Sequence, residues 1–242
     1  MLIQLLRQGM DITSVIIYIL SVLMIIFLIN PLHECAHGFM AYKLGDRTAK
    51  NQGRLTLNPL AHLDYMGAIT MLIIGFGWAK PVPVNPRNFK KPRVGMLLTA
   101  LAGPVSNLLA AVLGGLIMNA IYTIMIKNGS FIYYNGSIYL NLGYELGAMK
   151  YVFLFIEFFI IINISLAVFN LIPIPPLDGS KILFSFLPPS VAFKAQRYEM
   201  YISIVLLVLV VTGGLSNILY PVQEWLYGLI NQLTALPFSW AW

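Results

Sequence analysis

Charge, cysteine and histidine are scarce in this chain of 242 residues. Charged side chains make up 10% of it and hydrophobic ones 59%, with a mean hydropathy of +0.79, whereas a soluble domain carries roughly 25% charge. That composition excludes a soluble globular protein and predicts a multi-pass membrane protein. Several spans of about 20 residues each leave no room for a large extramembrane domain, so residues 1–242 read as one integral-membrane domain. One cysteine, Cys35, excludes an internal disulfide; it reads as a packing residue. Nine acidic residues and three histidines restrict the groups able to move protons or bind a hard metal. The net charge of +6 is not a nucleic-acid footprint. Nine of the fifteen basic residues lie between Lys43 and Arg93, where they mark a cytoplasmic loop by the positive-inside rule. No nucleic-acid partner is expected, and no internal repeat is evident.

The long apolar runs predict spans at about 12–44, 104–126, 151–172 and 200–220. The first is longer than a signal-peptide core and lacks a small-x-small cleavage site, so it reads as a retained span. Pro31 removes a hydrogen bond to the Phe27 carbonyl and predicts a kink. Met66–Trp78 is apolar but too short to cross and reads as a re-entrant segment. The alternating prolines of Lys80–Pro86 suit an extended edge strand. Pro104 is expected to be the first residue of the second crossing helix. Pro173, Pro175 and Pro176 end the third. Beyond the fourth span, apolar residues at helical spacing predict an amphipathic helix at about 222–234, lying on the external surface and anchored by Trp225. The fold class is therefore an all-α polytopic membrane protein, with a three-helix core, an additional C-terminal span and a short re-entrant strand element on the cytoplasmic side. Both termini are expected outside.

Within the first predicted span stands His33-Glu34-Cys35-Ala36-His37. Two imidazoles one turn apart share a helix face and can grip one ion, while a glutamate beside them can act as general base on a water without ligating. Imidazole suits zinc, and a catalytic zinc takes three protein ligands and keeps one open position. A third ligand is then needed. Counting from Lys43 at 1.5 Å per residue sets His37 about 9 Å and His33 about 15 Å below the charged boundary. His62, Asp46, Asp64, Glu145, Glu157, Asp178, Glu199 and Glu224 are the available groups. One crossing out and one back return the chain to the histidines' side at Asp178, whereas Glu157 falls near the external end of its span and His62 follows an Asn-Pro turn in the basic loop. Asp178-Gly179 reads equally well as a turn or a helix cap.

The histidine motif, together with Gly103-Pro104-Val105-Ser106-Asn107 and Asn170-Leu171-Ile172-Pro173 leading to Asp178-Gly179, resembles the site-2 protease family of intramembrane zinc metalloproteases. Asn58-Pro59-Leu60-Ala61-His62 and Gly77–Val84 resemble its compact branch, which lacks PDZ and CBS domains. The resemblance spans about residues 12–187. It implies one Zn²⁺ held by His33, His37 and Asp178, with Glu34 as the base. It also implies that Asn107 and Asn170 contact the substrate or stabilise the oxyanion, and that part of Gly77–Phe89 pairs with an unwound substrate helix. The expected partners are a membrane-protein substrate helix and the lipid bilayer of the cell membrane, with homo-oligomers possible in principle. A metal-ion transporter using His33, His37 and Asp178 as a transit site is the alternative; it has no use for Glu34 and would need further ligands along its path.

Overall fold

A computed structural model describes residues 12–74, 77–134, 137–141 and 146–241; the N-terminal residues around Arg7, and Glu145, lie outside them. The first long helix is assembled from α1 (Ile12–Met24), a π-helical turn (Ile25–Ile29) and α2 (Asn30–Lys43). The break expected at Pro31 takes the form of that wide turn: the Asn30 N–H donates to the Ile25 carbonyl, five residues back. A single π-turn absorbs the ladder disruption without ending the helix. Next, α3 (Tyr65–Ile74) packs Met71 against Val22 and Ile26. The chain then returns beside its own start. A Cβ added to Gly67 would lie 2.1 Å from the Trp78 carbonyl oxygen, so the backbones touch as a re-entrant segment requires.

The basic loop leads into α4 (Pro92–Lys127), then the β1 (Phe131–Tyr134) and β2 (Ser137–Leu140) hairpin, α5 (Met149–Asn170), α6 (Asp178–Phe186), α7 (Pro189–Arg197), α8 (Glu199–Val211) and α9 (Ser216–Ala235). Among the described residues, three helices are long and apolar enough to cross a membrane: Val15–Lys43, Pro92–Lys127 and Met149–Asn170.

The centre of the bundle is α4, which touches α2, α5, α6 and α9. Its buried residues include Gly95, Thr99, Gly103, Asn107, Ala111, Gly115, Asn119 and Thr123, one every fourth position. Small and polar residues on such a row let neighbouring helices approach closely. At 100° per residue the row advances about 40° per step, so it winds around α4 and meets different partners in turn. Phe89 fills the space above Gly95, the imidazoles of α2 lie at Gly103, and Thr234 of α9 lies at Gly115.

Four expectations change. Pro104 does not begin α4 but sits inside it, fully buried; Pro92 takes the first position instead, its ring matched to helical φ. A proline inside a membrane helix is tolerated where packed neighbours shield the disrupted turn. The predicted span at 200–220 is two helices, α8 and α9, bent by 74° at a break containing Gly213 with φ +74°. The predicted surface helix at 222–234 is the body of α9 and packs into the bundle: Ile230 joins Ala111, Ile160, Ile164 and Val168 in one buried cluster. Of its apolar stripe, Leu226 and Ile230 meet protein, while Val222, Trp225, Leu229 and Leu233 stay exposed. The strand pairing also falls elsewhere. Residues 77–85 have no strand pairing, and the two-stranded antiparallel sheet is the β1–β2 hairpin, with Phe131 opposite Leu140.

Candidate metal centre

One turn of α2 separates His33 from His37, and both side chains are buried against α4. Their rings meet edge to face with centroids 4.6 Å apart, and their Nε2 atoms are 3.0 Å apart. Asp178 Oδ2 lies 3.2 Å from His33 Nε2 and 3.0 Å from His37 Nε2. Proline-rich backbone brings the carboxylate there: α5 stops before Pro173, and extended Leu177 precedes α6, so Asp178 is the first helical residue and makes no capping bond. The chain is tightly folded at this point. A Cβ on Gly179 would lie 2.3 Å from the Leu171 carbonyl oxygen. Asp178 turns its other oxygen to the partly exposed Lys181 ammonium, at 2.9 Å.

The outward ring nitrogens are held as well. His37 Nδ1 donates to the Thr99 carbonyl at 2.7 Å, and His33 Nδ1 lies 2.6 Å from Asn107 Oδ1. Such outer bonds fix ring orientation and leave Nε2 with its lone pair inward. Two inward lone pairs and a carboxylate oxygen repel one another unless a cation lies among them. The three donor atoms, all within 4.8 Å of one another, therefore fit a divalent ion, and a set of two imidazoles and one carboxylate suits zinc. The floor is Gly103, where an added Cβ would lie 2.4 Å from His37 Nε2 and 2.6 Å from His33 Cε1.

Glu34 faces another way from the histidines. Its Oε2 accepts the Val82 N–H at 2.7 Å, which ties the motif to the proline-rich segment. That segment is pinned on both sides: the Lys80 N–H donates to the His62 carbonyl at 2.9 Å, and the Arg54 guanidinium donates to the Lys80 carbonyl at 2.7 Å. At its far end Asp46 accepts from the Asn85 N–H and the Asn88 amide, each at 2.7 Å. Burial alone would raise the Asp46 pKa, but these bonds and those from Thr48 outweigh it and hold the carboxyl below the usual range.

The remaining groups singled out in the sequence lie apart from the donor cluster. His62 Nε2 donates to the Thr56 carbonyl at 2.8 Å, Cys35 is a free thiol, and Glu157 is exposed. The Asn170 amide donates to the Leu166 carbonyl of its own helix at 3.0 Å. Asn163, which the sequence reading passed over, is fully buried, and its Oδ1 accepts the Asn107 amide at 3.0 Å. An asparagine in the middle of an apolar span was the available signal. Thr99 contributes through its carbonyl, so no side-chain pattern could have marked it.

Comparison with known proteins agrees with this geometry. The sequence profile of peptidase family M50 matches residues 18–212. A Bacillus subtilis protein named "Putative zinc metalloprotease YwhC" is 41% identical over 208 residues, covering 86% of each chain. "Putative zinc metalloprotease Rip2" of Mycolicibacterium smegmatis is 24% identical over 201 residues, covering 81% of this chain and 68% of that protein. Rip2 of Mycobacterium tuberculosis H37Rv is 25% identical over 206 residues, covering 82% and 69%. No solved structure matches.

Proposed function

The chain belongs to peptidase family M50, the site-2 protease family, and on that premise we propose that it is an endopeptidase that cleaves within or beside the membrane-spanning helices of other membrane proteins. It is a multi-pass membrane protein and a zinc metalloprotease of the site-2 type. The observation that carries the substrate assignment is the position of His33, His37 and Asp178 among helices long enough to span a bilayer. A bound zinc supplies Lewis acidity toward the scissile carbonyl and acidifies water. Glu34 takes the proton of the attacking water and delivers it to the leaving amine. His33 and His37 keep their Nε2 lone pairs inward through the bonds at Nδ1. Lys181 draws one Asp178 oxygen away and leaves the other for the metal.

Substrate is recognised through backbone. A helical peptide bond is shielded until its helix opens, after which its polar groups seek a new ladder. Among residues 81–83 only Val82 has an N–H to offer, and it is the group that Glu34 now accepts. An incoming substrate carbonyl takes that N–H and frees the carboxylate for water. Asn170 keeps its carbonyl oxygen and one amide hydrogen for the substrate, whereas both ends of the Asn107 amide are already engaged. The basic loop puts the site toward the cytoplasm. The termini lie outside, and the chain works alone or as a homo-oligomer.

The test uses the protein in proteoliposomes with a single-span peptide whose helix is interrupted by Gly and Asn. Glu34→Gln is expected to lose at least ~100-fold of the cleavage while retaining one zinc per chain. Robust proteolysis by this variant removes Glu34 as base. Zinc uptake into the vesicles at a rate indifferent to Glu34→Gln would establish the transporter reading instead.

A further inference from the structure

We propose that Asn163 is a positioning residue of the metal centre, which fixes, through Asn107, the ring nitrogen of His33 that carries the proton. The inference rests on the metal reading of the site and is independent of what the protein cleaves. The polarity of the chain of bonds starts at the Phe159 carbonyl of α5, which can only accept. Asn163 Nδ2 donates to it at 2.8 Å, so Asn163 Oδ1 must face the other way. There it accepts from Asn107 Nδ2 at 3.0 Å, which turns Asn107 Oδ1 toward His33. His33 Nδ1, at 2.6 Å, must then be the protonated nitrogen, and Nε2 keeps its lone pair for the metal.

Neither asparagine has any exposed surface, so water cannot replace a missing partner. Reversing Asn163 would set its carbonyl oxygen against that of Phe159, and each amide is thus locked by the next. The two histidines reach the same state by different routes. His37 meets an acceptor-only group directly at the Thr99 carbonyl, whereas His33 meets one only through two side-chain amides. Without Asn163, Asn107 is free to turn over and present its NH₂ to His33. The imidazole then carries its proton on Nε2, where the metal should bind. A polar side chain in the middle of a span is costly unless it is hydrogen-bonded, and here the amide oxygen and nitrogen of each asparagine have a partner.

The experiment uses the full chain in nanodiscs, with zinc affinity measured by chelator competition and coordination read from the absorption spectrum of the Co²⁺-loaded protein. Asn163→Leu is expected to weaken zinc binding by ~10–100-fold and to change the cobalt bands. Asn163→Asp in its protonated form has a hydroxyl for Phe159 and an oxygen for Asn107; in that form it is expected to restore affinity to within about threefold of the parent. Asn119→Leu serves as the control: Asn119 is buried on the same row of fourth residues along α4 and bonds Gly115 and Thr234 instead. If Asn163→Leu does not fold, Asn163→Ala carries the same comparison. Unchanged affinity and spectrum in the Leu or Ala variant would overturn the proposal, as would protonated Asp failing to rescue or Asn119→Leu losing zinc equally. A parent protein that binds no zinc would instead overturn the metal reading.

Discussion

The two halves of α4 use one construction for different ends. On the half facing α2, Thr99, Gly103 and Asn107 hold or border the two imidazoles. On the half facing α9, Ala111, Gly115 and Asn119 meet Ile230 and Thr234. Both halves carry a glycine under a close contact and a buried asparagine bonded across to another helix, on one row of fourth residues. Helix association in a bilayer gains little from burying apolar surface and depends on close backbone approach and hydrogen bonds, so a binding site and a structural joint draw on the same residue types. What separates them is the partner: imidazole in one half, a threonine hydroxyl in the other.

The glycines offer the largest expected difference. Gly103→Ala sets a methyl within 2.6 Å of both imidazoles, which have no room to yield without leaving the metal position. Zinc content after a chelator challenge should fall from one per chain to near zero, and cleavage should go with it. Gly115→Ala meets Thr234 at 2.8 Å and should cost about 1–3 kcal/mol of stability, the usual penalty of overpacking, with zinc content unchanged. Equal zinc loss in both would mean that the halves are not separable.

The asparagines should part by a smaller margin. Asn107→Leu and Asn119→Leu each leave a buried group unsatisfied and should each cost about 1–3 kcal/mol in denaturant unfolding. Asn107→Leu alone should weaken zinc binding, by ~10–100-fold in a competition titration. The smallest effect is expected outside the helix, at Asp46. Because its folded pKa lies below its unfolded value of about 3.9, its contribution to stability is fully present above that value and is lost as pH falls through the lower, folded one. Asp46→Asn should therefore raise hydrogen exchange at residues 85–88 at neutral pH and leave zinc affinity within about twofold. A protection pattern identical to the parent would show that Asp46 does not hold the segment.

Much of the donor set was legible because it depends on local spacing. His33 and His37 share a face at any i, i+4 separation on a helix, and Pro173 ends α5 wherever the bundle sits. The parity of crossings returned the chain to Asp178. The failures have a common cause. Pro104 is a helix breaker by local rules, yet it lies inside α4 because its neighbours in the bundle bury it. The stripe of α9 announced a face to be covered but not by what; membrane and protein are both apolar, so periodicity cannot distinguish them. Asn163 was visible as a polar residue in a span, while its partner Asn107 stands 56 positions away.

By itself the sequence determined the membrane-spanning character, the histidine pair with its neighbouring glutamate, and the breaks in the helices, because hydropathy, i, i+4 spacing and proline act within a few residues. The tertiary structure alone decided that the Asp178 carboxylate meets both imidazoles rather than capping α6, and that Asn107 serves a histidine while Asn119 serves a joint. It also decided that the Val82 N–H rests on Glu34. Each of these is a directional contact between groups distant in the chain, and hydrogen-bond geometry, unlike hydropathy, has no value until both partners are in place.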